Sequence, residues 1–118
     1  LDEAMKLTAQ HLNLSSLRVA RADKPLISSI AVCAGSGGSL LAKAKADLFI
    51  TGEMTHHQVL QAVEAGCSVI LTEHTNCERG YLRHVFTPLL AKHLQAEDAR
   101  FSVFYSQTDA DPLSSIFL

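Results

Sequence analysis

An α/β layered fold, with a largely parallel or mixed sheet of about five strands and helices packed on it, is the class this sequence predicts. Two observations lead there. Short apolar runs rich in β-branched residues alternate with segments of helical periodicity, and the connections between them are only a few residues long. The 118 residues suffice for one domain, over 1–118, with a core that needs neither disulfides nor a structural metal.

The elements follow in order. Leu1, Ala4, Met5, Thr8 and Leu12 recur at helical spacing, so a helix is expected over 2–12, and SLRVAR after it reads as a short strand. RADKPL carries charge and a proline and is a connector. ISSIAVCAG, DLFITG and SVILTE are strand-like, LLAKAKA and THHQVLQAVEAG are helical, and a long helical pattern runs from about Asn76 to Glu97. FSVFY is expected as a last strand before the polar tail SQTDADPLSS. No internal repeat, low-complexity tract or second-domain linker is visible.

Composition narrows the function classes. Hydrophobic residues are 47% and charged residues 19% of the chain, and no apolar run approaches the roughly 18 residues of a membrane-spanning helix. With a net charge of -2 and scattered Lys and Arg, no basic stripe exists to track a phosphate backbone, so direct nucleic-acid binding has little support. Cys33, Cys67 and Cys77 are an odd number at wide spacings. They read as reduced thiols of an intracellular protein, cytoplasmic or else nuclear or mitochondrial. The first residue is Leu1, not methionine, and acidic residues stand where a secretory signal would be basic. The expectation is a fragment of a longer chain without a visible targeting peptide.

In parallel sheets ligands collect beyond the carboxyl ends of the strands. Three polar clusters fall there: GSGGS after IAVCA, GEMTHH after DLFIT, and EHTNCERG after SVILT. Gly35, Ser36, Gly37 and Gly38 form either an anion cradle at a helix start or merely a tight strand-to-helix turn. They match neither the dinucleotide fingerprint nor the phosphate loop with its lysine. Thr55 with Gln58 has the spacing of a capping box, leaving His56 and His57 in a first helical turn as surface residues or, for one of them, a site residue. Glu53 just before is a loop carboxylate or an acceptor that orients a histidine.

His74 and Glu78 are the sharpest pair. Thr75 to Glu78 has capping-box spacing too, which supplies Glu78 with a structural reading. The alternative is that a strand end and a first helical turn direct an imidazole and a carboxylate to one point, a usual ligand pair for Zn, Mn or Fe. Cys33 and Cys67 read as small core residues, and Cys77 has no assigned role.

Taken together, AVCAGSGGSLL, ADLFITGEMTHH, SVILTEHTNCERGYL and the closing TDADPL resemble, over nearly the whole chain, the C-terminal part of the NIF-three-like family. These are dinuclear-metal proteins often described as homologues of a second type of GTP cyclohydrolase. The resemblance implies that His74 and Glu78, in the H-x-x-x-E-R-G block, are metal ligands, and that the other ligands come from an N-terminal region absent from this chain. It implies half of a two-lobed fold, with two divalent ions per full-length chain that this chain alone holds poorly. It also implies a homo-oligomer, often a hexameric ring, and a transcriptional coregulator as a possible partner.

On that basis the expected function is metal-dependent hydrolysis of a nucleotide or other phosphorylated substrate. Glu53, His56 and His57 would orient water or move a proton, and Gly35 to Gly38 would hold an anion. The alternative is a metal-containing scaffold, or transcription-linked interaction module, without catalysis.

Overall fold

The computed structural model describes residues 1–114 and 116. The chain divides into two compact units, Leu1–Glu78 and Arg79–Leu118.

The first unit carries the sheet. Helix α1 (Asp2–Leu12) precedes strands β1 (Arg18–Ala20) and β2 (Ile30–Cys33), then α2 (Gly38–Leu41), β3 (Leu48–Thr51), α3 (His56–Glu64), β4 (Ser68–Leu71) and the start of α4 (His74–Tyr81). The sheet order is β1-β4-β3-β2. β2, β3 and β4 run parallel and β1 lies antiparallel against β4, so the expected mixed sheet is present with four strands.

The two-residue repeat of the strands sorts side chains onto two faces. On one, Phe49, Val69 and Leu71 pack with Leu41 of α2 and Ala62 of α3. The other carries Leu48 and Ile70, both fully buried. All four residues of β4 are buried, as expected for an inner strand covered on both sides. Each fully buried aliphatic side chain of this sheet contributes about 1.5–3 kcal/mol.

Several local expectations are corrected. LLAKAKA forms a helix only at its start: α2 is four residues long and Lys43 and Ala44 close turns onto Leu40 and Leu41. FSVFY is not a strand. Among the described residues it has no ladder partner, Phe101 and Phe104 are exposed, and its backbone bonds are local ones, such as Phe101 N to the Asp98 carbonyl at 3.1 Å.

The second unit begins within α4. The helical pattern expected from about Asn76 to Glu97 is continuous but changes its winding at the π-helical stretch Leu82–Phe86 before α5 (Thr87–Glu97). Pro88 lies at the start of α5 and lacks the N–H that would bond back to His84, and Thr87 Oγ1 donates to the Leu82 carbonyl at 2.7 Å. Arg79 Nη1 donates to Asp109 Oδ2 at 2.6 Å, which ties the TDADPL block to the E-R-G block. No helix among the described residues is long and apolar enough to cross a membrane.

Candidate metal centre

The three parallel strands deliver three loops to one edge of the sheet, and backbone bonds lace those loops together. Glu53 N donates to the Gly35 carbonyl, and Glu73 N donates to the Gly52 carbonyl, both at 3.0 Å. Thr51 Oγ1 donates to the Gly35 carbonyl and accepts from Gly37 N, both at 3.1 Å. The expected convergence of GSGGS, GEMTHH and EHTNCERG is therefore present.

At this edge His74 stands between two carboxylates. Its Nδ1 lies 3.1 Å from Glu53 Oε2, and its Nε2 lies 3.3 Å from Glu78 Oε1. All three side chains are half-exposed. The hydrogen bond to Glu53 raises the His74 pKa above its ordinary value, partial burial opposes it, and the Glu78 charge adds to the rise.

The helix start differs from the capping-box expectation. Glu73 adopts φ 66°, and α4 opens at His74, so Thr75 already lies inside the helix and Glu78 is not its N3 partner. Instead, Glu78 lies one turn beyond His74, where the i,i+4 spacing puts both side chains on one face. The structural reading of Glu78 as a cap is thereby removed.

Gly35 explains why the pair has room. It sits at φ +65°, and a Cβ there would come within 2.5 Å of Glu78 Oε1 and 3.1 Å of His74 Nε2. Only glycine leaves the two donor atoms uncovered.

The donor set suits a divalent cation. An ion about 2.0–2.2 Å from a ring nitrogen and a carboxylate oxygen holds them about 3.0–3.4 Å apart, which spans the separation seen between Nε2 and Oε1. With Glu53 accepting from Nδ1, a neutral His74 carries its lone pair on Nε2, the nitrogen beside Glu78. Two donors are half of a site, however. Among the described residues no group of three or more His, Cys, Asp or Glu side chains is suited to hold a metal.

The remaining expected residues fall elsewhere. The capping box of Thr55 and Gln58 is formed, with Gln58 N donating to Thr55 Oγ1 at 3.3 Å and Thr55 N to Gln58 Oε1 at 2.9 Å. His56 and His57 are exposed, their rings edge-to-face at 5.9 Å, and among the described residues no hydrogen bond joins either to His74 or Glu78. Two of the four N–H groups of Gly35–Gly38 are already engaged. Gly35 N donates to Cys77 Sγ and Gly37 N to Thr51 Oγ1, each at 3.1 Å, and α2 is too short to present a strong dipole.

Cys77, for which the sequence alone indicates no role, sits directly behind the pair. A thiol between a site histidine and a site glutamate carries no signal in sequence by itself. An open cleft of about 300 Å³ adjoins Glu53, bounded by Arg18, Ser36, Thr55 and Glu73. A larger cavity of about 480 Å³ includes Asp47 and Cys67 and none of Glu53, His74 or Glu78. Size alone does not mark the site.

Comparison with known proteins shows the same scaffold. The chain is 48% identical over 101 residues to NIF3-like protein 1 of Drosophila melanogaster, covering 86% of this chain and 33% of that protein. It is 40% identical over 111 residues to NGG1-interacting factor 3 of Saccharomyces cerevisiae, covering 92% and 36%. The crystal structure of Staphylococcus aureus protein SA1388 superposes with a TM-score of 0.77 at 25% identity, covering 98% of this chain and 38% of that one. The chain thus spans about a third of the length of the curated relatives it matches. These matches carry the family and the fold; they do not carry the expected C-terminal placement within it. With a family model matched over residues 1–112, the chain belongs to the Duf34/NIF3 (NGG1p interacting factor 3) family.

Proposed function

We infer that this chain supplies half of a divalent-metal centre in a protein with hydrolase-type chemistry, with His74 and Glu78 as ligands. The observation that supports this best is His74 held between Glu53 and Glu78 under a glycine that cannot cover it. When bound, a pair of divalent ions lowers the pKa of a shared water and polarises an electrophile.

The chain's own residues have distinct tasks. Glu53 accepts from Nδ1 and keeps the imidazole aimed. Glu78 contributes a carboxylate oxygen from the next helical turn. The cleft beside Glu53 offers room for a substrate, and Arg18, whose Nη1 lies 3.6 Å from Glu73 Oε1 in the same lining, is the cation there to meet an anionic group such as a phosphate. His56 and His57 remain candidates for moving a proton at the mouth of the same sheet edge.

The test is the metal content of the full-length protein by elemental analysis, as wild type and as Glu78→Gln. About two ions per chain are expected in the wild type, with a clear fall in a variant whose circular dichroism is unchanged. Equal metal in both would remove the ligand assignment.

A second reading is favoured by one relative's name. The yeast protein is called NGG1-interacting factor 3, which supports an interaction module linked to transcription. Binding of a coregulator that persists after metal removal would favour this reading; loss of the ordered site with loss of binding would join the two.

A further inference from the structure

The Cys77 thiol lies where three loops of the site meet. Its Sγ accepts from Gly35 N at 3.1 Å and donates to the His74 carbonyl at 3.0 Å. A Cβ on Gly52 would come within 2.8 Å of the same sulfur, 2.8 Å of the Gly35 carbonyl and 3.0 Å of His74 Cα. The sulfur is therefore the common contact of the loop after β2, the loop after β3 and the first turn of α4.

Each of those three carries part of the pair's geometry. The Gly35 loop sets how closely the backbone approaches Nε2 and Oε1. The Gly35 carbonyl accepts Glu53 N, so the carboxylate that aims His74 hangs from the same residue. His74 and Glu78 flank Cys77 on one helical turn.

We propose that Cys77 is a positioning residue of the metal half-site, clamping the Gly35 loop to the first turn of α4 so that His74 and Glu78 stay aimed at one point. This rests on the ligand assignment above. Groups that orient metal ligands without touching the metal are worth about 10–100-fold in affinity when removed. Methyl in place of the thiol leaves Gly35 N and the His74 carbonyl without this partner, while a hydroxyl keeps both bonds in kind.

The experiment measures Zn²⁺ and Mn²⁺ affinity of the full-length protein as wild type, Cys77→Ala, Cys77→Ser and Glu78→Gln, with the melting temperature of each metal-free form. The expected result is a loss of about 10–100-fold for Cys77→Ala at near-unchanged melting temperature. Cys77→Ser should stay within about threefold of wild type, since it keeps a donor and an acceptor. Should the alanine variant fail to fold, Cys77→Val fills the volume without either group and takes its place under the same criteria. Affinity unchanged in Cys77→Ala while Glu78→Gln loses metal would overturn the positioning role and leave the ligands standing. Affinity unchanged in Glu78→Gln would overturn both.

Discussion

At the scale of single residues, the site is a set of choices that only make sense together. His74 has one nitrogen beside Glu53 and one beside Glu78, and Gly35 is the residue that keeps that second nitrogen uncovered. Glu78 was legible as a ligand and as a cap, because T-x-x-E at a helix start has both readings. The left-handed turn at Glu73 removes the cap reading by starting the helix at His74, two residues before a Thr75 cap would. Asp47 shows a second residue-scale arrangement, away from the site. Its carboxylate takes a hydrogen bond from Lys24 and accepts from Ser28 N at 2.8 Å and Ser29 N at 3.0 Å. These bonds, Lys24 first, lower its pKa from 3.8 to about 2. A carboxyl depressed on folding adds stability that is fully present above its ordinary value and is lost as pH falls through the folded one. The contribution should therefore disappear between about pH 4 and pH 2. Carboxyl NMR titration should place the Asp47 midpoint near 2. The midpoint should move up in Lys24→Met; a midpoint that ignores this substitution would refute the pairing.

At the scale of elements, the capping box of α3 was readable because its two partners are three residues apart and need no tertiary information. It is formed as its spacing predicts, and Gly66, at φ +81°, closes the other end with its N–H on the Val63 carbonyl. Thr55→Ala should cost about 1 kcal/mol of stability in urea unfolding, with the slope unchanged; a neutral effect would mean that the cap is not holding α3. The helix over 76–97 was readable in extent but not in its π-helical step. That step depends on how the chain accommodates Pro88 and on the Thr87 hydroxyl reaching back to Leu82. FSVFY has the composition of a strand, yet composition describes only the side chains. Whether a strand exists depends on a neighbour to pair with, and none is there among the described residues.

At the scale of the whole molecule, the proposed assignment gives this chain two ligands, His74 and Glu78; among the described residues no group of three or more His, Cys, Asp or Glu is suited to hold a metal, and the chain spans about a third of its relatives. The isolated 118-residue chain should bind Zn²⁺ at least an order of magnitude more weakly than the full-length protein, since most coordination positions fall to water. Isothermal titration of both would check it, and equal affinities would mean that His74 and Glu78 suffice. What the sequence by itself determined was the α/β class, the order of elements, the family, and the edge at which the polar clusters gather. Strand and helix periods, glycine turns and capping spacings are local, and topology rules bring successive parallel strands to one edge. What only the tertiary structure decided was which members of those clusters meet. It joined His74 to Glu53 across 21 positions and set Cys77 against Gly35 across 42. It also left His56 and His57 unbonded to that pair. Contacts of that range follow from strand register and from a single left-handed residue, and neither has a period that a sequence displays.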